Sequence, residues 1–259
     1  MFLKLMSRAR QPVIGLALML VLAACVTTVD ETEAVADINE AANLNLQLGI
    51  SYYQQKNMTA AREKLERAIA QNPDLAPAYQ MLGRVYQSMG EMDEAEEQYR
   101  AALDMAPRDP SIINDYAVFL CNERGDVKRG LKYFDEAIRV PLNEDRTLLY
   151  SNAARCAQNT DPERAESYLR SALAADPENV GIIVQIGALA YSQGQYLQSR
   201  VFLERAAQMI EPTAAMLYLM SRTEEALGNY QIAGEYRNQL LKQYPLSEEA
   251  LRLQEEGLR

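Results

Sequence analysis

The sequence predicts an all-α fold, a superhelical solenoid of six helix-turn-helix units ended by a C-terminal capping helix. Two observations carry that expectation. Small and large residues recur in register at an interval of 34: Leu48-Gly49, Tyr52, Ala61, Leu65, Ala68 and Pro73 return as Leu82-Gly83, Tyr86, Ala95, Tyr99, Ala102 and Pro107. A period of that length is the signature of a repeat architecture. The composition agrees, with only 12 Gly and 10 Pro in 259 residues and an abundance of Ala, Leu, Glu, Gln and Arg, all strong helix formers.

The units follow in order. The first spans 42–75 and the second 76–109, on the residues just given. The third, 110–145, holds Tyr116-Ala117, Leu120, Gly130, Phe134 and Ala137 in register if the turn from Asn122 to Asp126 is one residue longer and Pro141 closes the unit early. Asn152-Ala153, Ala165, Leu169, Ala172 and Pro177 mark the fourth, 146–179. The fifth, 180–213, has Ile186-Gly187, Gly194, Tyr196, Leu203 and Ala206, with Ser199 at the small place. The sixth, 214–247, has Met220-Ser221, Gly228, Tyr230, Ala233 and Pro245. Small residues at the eighth, twentieth and twenty-seventh places let helices approach closely, and Pro ends the second helix because it donates no backbone hydrogen bond. Residues 248–259, with Leu251, Leu253 and Leu258 among charges, read as the capping helix that a stack of units requires. The pattern resembles the tetratricopeptide repeat (TPR), a helix-turn-helix of 34 residues, and the resemblance covers the body from 42 to 247.

Ahead of the body lies an address. Lys4, Arg8 and Arg10 precede an apolar run from Val13 to Ala24, the order of a secretory signal. At roughly twelve residues the run falls short of the ~20 that span a bilayer. Leu22-Ala23-Ala24-Cys25 resembles the lipobox of bacterial lipoproteins. That resemblance implies a signal peptide of residues 1–24, cleavage before Cys25, and acylation of Cys25 by diacylglycerol and usually a further chain such as palmitate. Several chains at ~0.8 kcal/mol per buried CH₂ make a firm anchor. Val26 in place of Asp after the Cys implies the periplasmic leaflet of the outer membrane. Residues 25–41 then hold the acylated Cys and a polar, acidic tether, helical toward its end. Loss of 1–24 leaves 23 Lys+Arg against 36 Asp+Glu, a charge of −13.

With no His in the chain, Ser-His and Cys-His catalysis and His-ligated metals are excluded. No catalytic residue, cofactor or metal site is expected, and the chain reads as a binding protein, not an enzyme. A sequence pI of about 4.8 lacks the positive field that nucleic acid binding needs, so membrane contact is expected only through the lipid on Cys25. Cys121 and Cys156 stand at the twelfth and eleventh places of adjacent first helices, within bridging reach in an oxidising periplasm. They form either a disulfide or two buried thiols acting as small apolar residues.

A partner is expected in the groove lined by the first helices, at their second, fifth, ninth, twelfth and thirteenth places. The first unit offers Asn43, Leu46, Ile50, Tyr53 and Gln54; the second offers Gln80, Arg84, Gln87 and Ser88. Leu46, Ile50 and Tyr53 would form an apolar patch, and such patches mark contact sites, unless Val35 or Ile38 folds back over them. A cytosolic chaperone-tail receptor of this fold uses Lys and Asn in the groove; Leu46 and Ile50 occupy corresponding places, which argues against that activity. Arg84 and Arg222 read as paired with nearby carboxylates rather than as anion sites.

A lipobox followed by six such units, with a cysteine pair linking the third and fourth, resembles the PilF/PilW lipoproteins of type IV pilus biogenesis. The resemblance implies a pilotin: an outer-membrane lipoprotein that binds the pilus secretin, promotes its localisation and multimerisation, and so supports twitching motility. The alternative within the same fold and anchor is a scaffold for peptidoglycan synthases or hydrolases.

Overall fold

The computed structural model describes residues 31–140 and 146–257, so the expected signal peptide, Cys25 and residues 141–145 lie outside the described residues. Thirteen α-helices are found among the described residues, and no strand. Twelve of them pair: α1 (Glu31–Gln54) with α2 (Met58–Gln71), α3 (Ala76–Met89) with α4 (Met92–Met105), and α5 (Pro110–Asn122) with α6 (Val127–Ile138). The remaining pairs are α7 (Arg146–Ala157) with α8 (Pro162–Ala175), α9 (Val180–Ser192) with α10 (Tyr196–Met209), and α11 (Ala214–Ala226) with α12 (Tyr230–Gln243). The stack closes on α13 (Glu248–Gly257). This is the tetratricopeptide solenoid that the periodicity predicts. One difference lies at its start: α1 already begins at Glu31, so the second half of the segment read as a tether is continuous with the first unit's first helix.

Local chemistry explains where the helices begin and end. Side chains of Asn57, Asp109, Asp126, Asp161, Asn179 and Thr213 accept hydrogen bonds from the first free backbone N–H groups of α2, α5, α6, α8, α9 and α11, satisfying donors that otherwise have no intrahelical partner. Pro73, Pro107, Pro177 and Pro245 each stand two residues past the end of a second helix, where the ring forbids continuation.

Second helices of the first five units bury a stripe three or four residues apart, such as Ala61, Leu65 and Ala68 on α2, Ala95, Tyr99 and Ala102 on α4, and Ala165, Leu169 and Ala172 on α8, whereas α12 buries only Ala233 and Leu240. Such spacing places the stripe on one helical face. Between the second and third units the filling is aromatic. Tyr99 and Phe119 lie 5.2 Å apart between centroids, as do Tyr116 and Tyr133. The Tyr116 hydroxyl donates to Glu96 at 3.2 Å, and Glu96 is held by Arg124 and Arg129. Burial, with Glu96 adding to it, pushes the Tyr116 hydroxyl up to about 12. Between the fifth and sixth units the joint is polar: Arg200 grips the buried Glu224 through two hydrogen bonds of 2.6 and 2.5 Å, and Ser199 meets Thr223 at 3.1 Å. At the C-terminal end Ala250 and Leu253 pack on Leu217 and Leu240, while Leu251 is exposed.

The turns inside five of the six units contain a left-handed residue, the fourth unit's turn being the exception. Gly90, Gly125, Gly194 and Gly228 supply it with φ between 66° and 81°, and in the first unit Lys56 stands at the equivalent place with φ 60°. A side chain there is strained by ~1–2 kcal/mol. Lys56→Gly is therefore expected to raise stability by about 0.5–1 kcal/mol, visible as a higher urea midpoint with an unchanged slope.

Candidate functional site

First helices follow one another along the inner side of the solenoid, the concave surface such stacks present. Polar side chains one repeat apart join them. From Gln80 on α3, Nε2 donates to Asp115 at 2.8 Å and Ser111 at 3.1 Å on α5. Gln87 accepts from Tyr99 and donates to Glu123. Asn152 on α7 donates to Asn114 on α5 at 2.8 Å, and Ser151 exchanges hydrogen bonds with Gln185 on α9 at 2.9 and 2.7 Å. Tyr218 on α11 reaches Glu256 on α13 at 3.1 Å. These bonds fix the spacing of neighbouring first helices and occupy much of the groove's hydrogen-bonding capacity. The groove cations are paired: Arg84 with Asp115 at 3.8 Å, and Arg222 with Glu225 and Glu256 at 3.1 and 3.4 Å.

The first-unit residues divide. Asn43 and Gln54 are exposed, and the Asn43 amide bonds the carbonyl of Asn39. Ile50 and Tyr53 are half-buried at the groove. The Arg84 guanidinium lies 5.7 Å from the centroid of the Tyr53 ring, and the Tyr53 hydroxyl accepts from Ser88 at 3.4 Å. Leu46, expected to line the patch, is instead 9% exposed and belongs to the core with Leu65, Met81, Leu82 and Val85. The reason is directional: the fifth place of a first helix points across to the next unit, as Gln80, also 9% exposed, does toward α5. Nor does Ile38 cover the patch, since it lies on α1 itself and is 48% exposed. The accessible apolar surface at this end of the groove is thus Ile50 with the Tyr53 ring.

Cys121 on α5 and Cys156 on α7 are joined as a disulfide, with their Cα atoms 5.6 Å apart. Gly130 on α6 faces the pair; a Cβ there would collide with the Cys121 sulfur. The bond ties the first helix of the third unit to that of the fourth. Among the described residues no group of acidic or sulfur side chains could hold a metal ion, and no helix is long and apolar enough to cross a membrane.

Sequence reasoning missed the polar ladder between first helices. Its signal is faint but present: Gln80 and Asp115, Gln87 and Glu123, and Ser151 and Gln185 are polar pairs separated by 35, 36 and 34 residues, close to one repeat.

A succession of helix pairs with a small-residue seam every 34 residues and a groove along the first helices defines a tetratricopeptide-repeat protein. Two tetratricopeptide-repeat family models match the chain, over residues 40–108 and 81–144. The chain is similar to the type IV pilus assembly protein PilF of Pseudomonas aeruginosa, 27% identical over 245 residues that cover 91% of this chain and 94% of that protein. Among solved structures, that of PilW, described as a widely conserved type IV pilus biogenesis factor, superposes with a TM-score of 0.76 at 28% identity, covering 82% of this chain and 97% of PilW. The structure of Pseudomonas aeruginosa PilF superposes at 0.71 with 27% identity, over 85% of this chain and 99% of PilF. The chain is a PilF/PilW-type tetratricopeptide-repeat protein.

Closing a loop over a sequence separation of 35 residues stabilises by roughly 3–4 kcal/mol when the unfolded chain is treated as a flexible coil. Cys156→Ser, or reduction of the wild type, is expected to lower stability by about that amount, measured as the urea unfolding free energy. Reduction should then leave the variant unchanged.

Proposed function

We propose that this protein is an outer-membrane lipoprotein of type IV pilus biogenesis, a pilotin, anchored through acylated Cys25 in the periplasmic leaflet. It binds the pilus secretin and promotes its outer-membrane localisation and multimerisation. The similarity to PilF along 91% of the chain carries this reading, together with the sequence Leu22-Ala23-Ala24-Cys25 directly ahead of the folded body. The architecture suits an escort. A permanent lipid anchor needs no further contact with the bilayer for attachment, and the helix stack exposes a long groove to a protein client. No side chain of the groove is assigned a chemical step, because the reading requires only contact.

Secretin binding is assigned to the first-unit end of the groove, where Ile50 and the Tyr53 ring stand between the exposed amides of Asn43 and Gln54. An aromatic ring backed by an aliphatic side chain is the composition of an interface hot spot. The expected outcome for Ile50→Ser with Tyr53→Ser is a folded protein, checked by circular dichroism, with a loss of secretin multimers on an immunoblot of at least ~10-fold, the equivalent of about 1.4 kcal/mol. Cys25→Ser should leave folding intact and move the secretin out of the outer-membrane fraction. Normal multimers and twitching in both variants would contradict the assignment.

A further inference from the structure

Two places before and two places after the buried small residue of each second helix, side chains point away from the stack. They are Asp93 and Glu97 on α4, Lys128 and Lys132 on α6, and Gln231 and Glu235 on α12, all exposed, and the same places are polar on α2 and α8. The fifth unit alone departs: around Ser199 stand Leu197 and Val201, 66% and 62% exposed. Four residues apart on α10, they form one outward-facing pair. Nothing in the repeat requires apolar residues there, since the other units manage with charges, amides and hydroxyls.

The surroundings narrow what meets this pair. Two side chains supply a small part of the ~800 Å² per partner that a standard protein interface buries, so a freely diffusing protein would be poorly held. A lipid surface sets no such threshold once the chain is tethered to it, because a tether turns a weak contact into an intramolecular one at an effective concentration of the order of millimolar. The exposed flank of α10 is charge-balanced, with Glu204 beside Arg205 and the amide of Gln208. That suits neutral headgroups, in contrast to the acidic outer face of α4. The next second helix opens with Tyr230, 68% exposed, an amphipathic ring of the kind that settles at headgroup level.

We infer that the outer face of α10 is a membrane contact: Leu197 and Val201 seat at the headgroup boundary of the bilayer that holds the chain. The inference rests on the attachment through Cys25 proposed above. It lays the solenoid on its outer side and leaves the groove open to the aqueous compartment, where a client can enter it.

The chain has no Trp, so Val201→Trp and Glu97→Trp each create a lone fluorescent reporter. Residues 25–259 of each variant, with Cys121 and Cys156 oxidised, are coupled through the Cys25 thiol to maleimide-phosphatidylethanolamine in phosphatidylcholine vesicles. This imposes the tether whatever the cell does to Cys25, and acylation itself is read separately by mass spectrometry of the native protein. Tethered Val201→Trp should emit at shorter wavelength and be quenched by brominated acyl chains. Addition of Leu197→Gln should reverse both effects. Tethered Glu97→Trp and untethered Val201→Trp should show neither. An unshifted tethered Val201→Trp, or an equal shift for Glu97→Trp, would overturn the inference. So would a shift of Val201→Trp that grows with protein concentration in the absence of vesicles, which would mark a contact between copies.

Discussion

The structure depends on how closely the two helices of a unit approach at the eighth place of the first. Gly49 lies so near Leu65 that an added Cβ would stand 2.6 Å from its Cγ; at Gly83 the Tyr99 ring and at Gly187 the Leu203 side chain would be met at 3.0 Å. Ala117, Ala153 and Ser221 hold the corresponding places in the other units and are fully buried or nearly so. The large residue that fills the seam, Leu65, Tyr99 or Leu203, comes from the second helix of the same unit. Small opposite large is the interlock that gives interiors their density, and here it is repeated along the chain instead of gathered into one centre.

Because every seam has the same geometry, first helices fall side by side, and the remaining contacts follow. Polar side chains one repeat apart come within hydrogen-bonding distance, as Gln80 and Asp115 do. Cys121 and Cys156 meet across α5 and α7. The groove gathers amides, hydroxyls and paired charges, and against that polar background two apolar pairs stand out: Ile50 with Tyr53 inside, Leu197 with Val201 outside. The groove pair and the outer apolar pair lie on different helices, α1 and α10.

Much of this was open to sequence reasoning, because a small residue at a fixed interval has few other causes than close helix packing. Helix pairing and turn glycines follow from the register, and the proximity of the two cysteines follows from the stacking of first helices. The side a given groove residue takes did not. Leu46 and Ile50 are four residues apart on one helix, yet Leu46 is buried with Met81 and Val85 while Ile50 stays partly open. The difference is set by the rotation of α1 against α3, which no local pattern encodes. The start of α1 at Glu31 was likewise obscured, since the stretch from Glu31 to Glu40 is acidic and lacks the apolar stripe that a packed helix displays. Leu197 and Val201 read as ordinary helix residues until their places are compared with those of the other units.

Glycine-to-alanine exchange tests the central claim about close approach, since alanine favours a helix by roughly 0.8–1 kcal/mol wherever there is room for its methyl group. Gly234 on α12 has nothing within 4 Å of an added Cβ, whereas Gly83 meets three atoms of a Tyr99 ring locked by Phe119 and by its bond to Gln87. Urea unfolding should show Gly234→Ala more stable than wild type and Gly83→Ala less stable by about 1–3 kcal/mol. Stabilisation of both to the same extent would contradict the account.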